Sequence, residues 1–282
     1  MDIGVGIFPT AETIRPDRLA VAAEERGFTS VWFPEHTHIP VDHSPYPAGG
    51  ELPDFYARTF DLFVALTMAA AATTRITVAS GVCLLAQRDP ITTAKAVASL
   101  DVLSRGRVRF GVGYGWNRPE AATHGTAFAQ RRAVVHDRLK AMKVLWADDP
   151  AAYDGPHAHV PPSHFWPKPV QDPHPAVVLG AGAGPRTYER LIADCDGWMP
   201  IPGRGGSLTD VVPRLWQACE DAGRDPDTMP VWAAGAKPDE ATLERYAGLG
   251  LRGLFYWLPQ GPEAEVLDRL DELATWTAGY RR

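Results

Sequence analysis

Eight times along this chain a short, continuously apolar run is followed by a segment whose apolar residues recur at helical spacing. The runs cover residues 3–8, 30–34, 76–80, 108–112, 176–179, 197–200, 230–233 and 253–257. The helical segments cover 17–26, 61–73, 91–103, 131–146, 186–194, 208–222, 239–249 and 263–276. In the last of these, Leu267, Leu270, Leu273 and Ala274 share one face. Gly27, Gly106, Gly223 and Gly250 mark helix ends. Strands that are apolar throughout, rather than alternating, are those of a parallel sheet covered on both faces. Eight such units predict an α/β fold of the closed (β/α)8 TIM-barrel type. A doubly wound open sheet is the rival, but it usually opens on a glycine-rich turn, and the first loop here reads PTAETIRP. With 282 residues, no repeat and no linker, the expectation is one domain, 1–282. Two connections are long: residues 37–60 after strand two, and 148–175 before strand five. The first falls on the catalytic face of a barrel. The second begins on the opposite face, so His157, His159, His164 and His174 are read as part of a surface insertion.

Charge and cysteine usage narrow the function classes. The net charge is −6 and the basic residues are scattered, which speaks against a nucleic-acid surface. The first residues, MDIGVGIFPT, carry no basic n-region, and no apolar run is long enough to span a bilayer. Cys83, Cys195 and Cys219 are odd in number and far apart, as expected of reduced thiols in a cytoplasm.

Chemistry concentrates at the strand exits. SVWFPEHTHIP places Glu35, His36 and His38 after strand two. An HxH pair can begin a metal site, but the exits VLGAGAG, MPIPG and FYWLPQG add no ligand, so no metal is expected. Gly180, Gly182 and Gly184 in LGAGAGPRTYERL run into a helix start, where backbone N–H groups bind phosphate; a plain tight turn has the same look. Gly113 and Gly115 in FGVGYGWN either let a flat ligand approach the backbone or allow close packing at the rim. Gly81 in ASGVCLL reads as a kink or bulge.

Taken together, GFTSVWFPEH, RITVASGVCLL, RDPITTAKAVASLDVLSRGRVRFGVGYGW, PKPVQDPHPAVVLGAG and DCDGWMP, in that order, resemble the luciferase-like monooxygenase superfamily, and within it the branch using coenzyme F420, a 5-deazaflavin. The resemblance covers nearly the whole chain. It implies a deazaflavin ring at the C-terminal face of the barrel, with His36 as the hydrogen-bond donor or general acid near it and Glu35 as its orienter. It implies that Gly81–Val82 is a bulge backing the ring, often a cis peptide. Gly113, Gly115 and Trp116, with Gly182, Ala183 and Gly184, then border the cofactor and hold its phosphate. Sugar-phosphate-oxidising relatives carry a catalytic glutamate where this chain has Trp116, which implies a different proton chemistry and substrate. Arg204 falls where they carry a lysine for substrate phosphate; a surface arginine is the plainer reading. The substrate is expected to be a small, partly apolar molecule lined by Tyr46, Phe55, Tyr56, Trp116 and Trp257. The expected activity is hydride transfer with F420. FMN-dependent monooxygenation with O2 and a non-catalytic flavin-binding barrel are the alternatives. The expected partners are a small-molecule substrate and a second copy of the chain in a homodimer, with neither nucleic acid nor membrane.

Overall fold

The computed structural model describes residues 1–280. The strands are β1 (Asp2–Gly6), β2 (Ser30–Phe33), β3 (Thr77–Ser80), β4 (Val108–Gly113), β5 (Ala151–Asp154), β6 (His159–Ser163), β7 (Val177–Gly180), β8 (Gly197–Trp198), β9 (Trp232–Ala234) and β10 (Gly253–Trp257). The helices are α1 (Pro16–Glu25), α2 (Phe55–Arg58), α3 (Leu62–Ala72), α4 (Pro90–Ser104), α5 (Arg118–Thr123), α6 (Arg131–Ala147), α7 (Pro185–Asp194), α8 (Leu208–Asp221), α9 (Glu240–Gly248) and α10 (Glu263–Thr277). Eight strands form one parallel sheet in the order β8-β7-β4-β3-β2-β1-β10-β9. A bridge between Trp198 and Val231 joins its two ends, with Trp198 N donating to Pro230 O at 3.0 Å. The (β/α)8 barrel expected from the periodicity is the fold.

Local chemistry sets the helix starts. Asp61, Asp89 and Asp239 each accept from a first-turn N–H of α3, α4 and α9, and Pro90 takes a position where no N–H is needed. The apolar residues divide into two cores. The larger lies between strands and helices; the smaller fills the barrel interior with Trp32, Ala79, Val178, Met199, Trp232, Ala234 and Phe255. Arg109 is also inside, its guanidinium 4.3 Å from the Trp232 ring and 3.8 Å from Asp2. This filling makes the interior a packed floor, so a ligand can enter only from the ends of the strands.

Three elements depart from the expectation. Residues 148–175 are not plain insertion: β5 and β6 form an antiparallel hairpin. Pro161 and Pro162 mask its strand pattern, and they are tolerated because β6 pairs on one side only. Asp137 of α6 anchors the hairpin, accepting from Tyr153 Oη and from His157 N, both at 2.7 Å. Helices α2 and α5 are also additions, each too short to show a helical period. Among the described residues, no helix is long and apolar enough to cross a membrane.

Candidate active site

A cavity of about 610 Å³ is lined from nearly every strand exit: Phe8 after β1, Pro34–His36 after β2, Gly81 and Val82 after β3, and 113–116 at the end of β4. Residues 180–182, Met199, Ala234 and Trp257 add the exits of β7, β8, β9 and β10. The cavity therefore lies at the C-terminal face, the catalytic face of this architecture. His157, His159, His164 and His174 do not line it.

His36 is buried in its wall, and its ring nitrogen Nδ1 lies 3.0 and 2.9 Å from the two carboxylate oxygens of Glu120. Glu120 is fully buried in the first turn of α5. A carboxylate accepts, so Nδ1 carries the hydrogen and Nε2 is left for a bound molecule. A carboxylate in this position fixes the tautomer and stabilises the imidazolium formed when Nε2 takes a proton. This corrects one expectation: Glu35 does not orient His36. Glu120, four residues after Trp116, reaches back to the histidine instead. The signal that could have found it is the RPEAAT segment, a proline and an acid in a short first turn.

Glu35 has a different task. It is 4% exposed, and it accepts from Arg88 Nε at 2.5 Å and from Leu84 N at 2.7 Å. Arg88 is shared with Asp61 at 2.8 Å. Glu35 therefore pins the chain that follows β3, where the Gly81–Val82 peptide is cis, as the resemblance implied. Pairing with β4 resumes at once: Cys83 N donates to Gly111 O at 2.8 Å, and Gly113 N to Cys83 O at 2.9 Å.

Val82, placed in this bulge, explains two glycines. A Cβ on Gly180 would lie 2.6 Å from a Val82 methyl, and one on Gly113 would overlap the other methyl. Gly113 thus makes room for Val82 rather than for a flat ligand, the rim-packing alternative, although its backbone lines the cavity. Gly115 serves a turn at φ +71°. Gly113→Ala is expected to cost about 1–3 kcal/mol of stability through overpacking, measured by urea unfolding.

At Gly182 the environment is open. A Cβ there would meet nothing within 4 Å, and Gly182 lines the cavity. Ala183 and Gly184 do not line it; they lead into the start of α7, with Gly205 packed against Ala183 N. Among the described residues, the N–H groups of Gly182, Ala183 and Gly184 have no protein acceptor, so a turn beside a helix N-terminus is left to bind an anion. Gly182→Leu is expected to leave the melting temperature unchanged and weaken binding of a phosphate-bearing ligand at least about tenfold, a change of ~1.4 kcal/mol. Isothermal titration checks it.

Aromatic rings form the opposite wall. Phe8, Phe55, Tyr56, Tyr46, Trp116 and Trp257 are linked by ring contacts, and the hydroxyls of Tyr46 and Tyr56 are 3.2 Å apart. His36 touches the array at Tyr56, 5.2 Å away, and at Trp116, 5.8 Å away. Burial, then the bond with Tyr46, pushes the Tyr56 hydroxyl above the ordinary phenol range, and the nearby Arg204 charge opposes this in part. Tyr56 is therefore a neutral hydroxyl. Arg204 lines the cavity from an exposed loop. Two lining cations were not anticipated, Arg131 and Arg132 at the start of α6; Arg131 Nε donates to Gly115 O at 3.2 Å. Among the described residues no group of three or more His, Cys, Asp or Glu is arranged to hold a metal.

The luciferase-like monooxygenase family matches residues 14–275. The chain belongs to that family. A relative in this family, an uncharacterised protein of Mycobacterium tuberculosis (strain ATCC 25618 / H37Rv), is 38% identical over 278 residues, 97% of this chain and 98% of the relative. The F420-dependent hydroxymycolic acid dehydrogenase of the same organism is 29% identical over 237 residues, 80% of this chain and 60% of that protein. The crystal structure of the monooxygenase RslO1 from Streptomyces bottropensis superposes with a TM-score of 0.84 at 20% identity, covering 100% of both chains. The family is one of luciferase-like monooxygenases, so the chain is read as an enzyme of the oxidoreductase kind.

Proposed function

We propose that this protein is a coenzyme F420-dependent oxidoreductase that moves a hydride between the deazaflavin and a small, partly apolar organic substrate. The observation that carries the reading is one cavity lined both by His36, whose Nδ1 is held by the buried Glu120 behind it, and by Gly182 of an open turn that leads to a helix start. The similarity to an F420-dependent dehydrogenase supports the choice of cofactor. The site suits the group: the Gly182 turn is open, its neighbouring N–H groups have no protein acceptor among the described residues, and Val82 lines the wall beside Gly81.

In this reading Gly182, Ala183, Gly184 and the start of α7 would hold the cofactor phosphate, while Gly81 and Val82, the latter seated in the space that Gly113 leaves, would back the ring. The deazaflavin supplies a carbon that accepts or donates hydride. His36 Nε2 takes the proton of a substrate hydroxyl when the substrate is oxidised and returns it when a carbonyl is reduced. Glu120 stabilises the charge this creates. The Tyr46–Tyr56 hydroxyls orient a polar group, and Phe55, Trp116 and Trp257 exclude water. Arg204 offers a cation to an anionic end of the substrate.

The test is anaerobic turnover with a panel of alcohols and their carbonyl products, followed by deazaflavin absorbance. Turnover at an undiminished rate under nitrogen supports the reading. Turnover only with reduced FMN, consuming one O2 per product, replaces it with a monooxygenase. The reading also places the chain in the cytoplasm, where Cys83, Cys195 and Cys219, all buried and free, stay reduced. It pairs the chain with a second copy: α3 is apolar nearly all round, with Val64 exposed on it and Ile91 exposed at the start of α4. Sedimentation equilibrium checks this, and a monomer at micromolar concentration contradicts it.

A further inference from the structure

Asn117 is the N-cap residue of α5, and asparagine is favoured there because its side-chain oxygen takes a first-turn N–H. Here its side chain makes no such bond. Asn117 Oδ1 accepts instead from Ser44 N, 3.1 Å away in the loop of residues 37–60. Ser44 Oγ in turn accepts from Arg118 N at 2.9 Å, so the start of α5 is capped by a side chain 74 positions away. A helix of six residues cannot hold its own first turn in water, and Glu120 sits in that turn.

The far end of the same loop meets the other member of the pair. Thr59 Oγ1 donates to His36 O at 3.0 Å. One loop therefore touches both partners: Ser44 holds the helix that carries Glu120, and Thr59 holds the backbone of His36. Between these two ties the loop brings Tyr46, Pro47, Ala48, Phe55 and Tyr56 to the cavity wall. Tyr46 follows Ser44 by two residues, Trp116 precedes Asn117 by one, and the two rings are 6.2 Å apart. Asn117 itself is buried, and its Nδ2 has no hydrogen-bond partner among the described residues. A buried donor left unpaired costs stability, so stability alone does not account for an asparagine here. Its bond to Ser44 does.

We propose, on the reading of His36 as the acid–base group, that Ser44 and Asn117 make the His36–Glu120 pair conditional on this loop. With the loop seated, Ser44 caps α5 and Glu120 stays against Nδ1. With the loop lifted, α5 loses its cap and Glu120 its fixed place. The acid–base group is then complete only when the Tyr46–Tyr56 wall is in position beside the substrate, which ties proton transfer to an assembled pocket. Ser44 and Asn117 are positioning residues, since neither lines the cavity.

The experiment needs neither substrate nor cofactor. Histidine labelled with ¹⁵N in the ring reports solvent exchange of the His36 Nδ1 proton by NMR, the signal being assigned by its loss in His36→Gln. In Ser44→Ala and in Asn117→Ala this exchange is expected to quicken at least about fivefold, within the range for a lost helix cap. The backbone amides of β2 and β3 should exchange as in wild type. Ser44→Thr, which keeps the hydroxyl, should show the wild-type rate. Wild-type exchange in both alanine variants overturns the proposal. So does quickening that extends equally to the β2 and β3 amides, the mark of a general loss of stability, and so does quickening that Ser44→Thr shares. In each of these results the His36 Nδ1 proton is still seen, and the acid–base reading stands. Absence of that proton from the wild type would remove the acid–base reading and this coupling together.

Discussion

Replacing His36 by alanine is expected to lower turnover about 10²–10⁴-fold, the range for a lost acid–base group. Affinity for the cofactor should be nearly unchanged, because the open turn at Gly182 and the Val82 wall, proposed to hold it, are separate from the histidine. The loss should be non-additive. Glu120 acts through His36, so Glu120→Gln in a His36→Ala background should cost almost nothing further. His36→Ala also leaves a buried carboxylate without its partner, which mixes folding with chemistry. His36→Gln keeps a donor for Glu120 and separates the two. Steady-state kinetics on the three variants, with thermal melts as control, make the measurement. Wild-type turnover in folded His36→Gln would make the histidine structural.

Glu35→Ala, one residue away, is expected to act on the fold. Breaking a buried ion pair costs about 3–5 kcal/mol, and the lower end applies here because Arg88 keeps Asp61 as a partner. Glu35 also holds Leu84 N, so its loss frees the chain carrying Val82. Cofactor affinity should fall with stability, while the rate constant for chemistry, measured at saturating cofactor, stays close to wild type. Urea unfolding and single-turnover kinetics separate these quantities. Full stability in the variant would show that Arg88 and Asp61 suffice to hold the bulge.

These two neighbours show where the sequence stops being legible. The barrel was readable because eight apolar runs and eight helical repeats are local patterns, and caps such as Asp239 sit beside what they cap. The exits of the strands were readable for the same reason, and they brought His36, Gly81, Val82, Trp116 and Gly182 to one cavity. Pairing across the fold was not. Glu120 lies 84 positions from His36, on a helix too short to announce itself. Adjacency in sequence pointed to Glu35, yet its partner Arg88 is 53 positions away. Gly113 was ambiguous because a glycine left open for a ligand and one filled by Val82 look alike until the opposing strand is placed. The β5–β6 hairpin was hidden by prolines that only an unpaired edge permits.

Binding of the two cofactors to the wild-type protein tests the central claim most directly. Purified protein is titrated under nitrogen with F420 and with FMN, each oxidised and reduced, and binding is followed by cofactor fluorescence and calorimetry. Saturable one-to-one binding of F420 is expected, at least about tenfold tighter than FMN, a difference of ~1.4 kcal/mol. Binding of reduced FMN more tightly than either form of F420 would contradict the account.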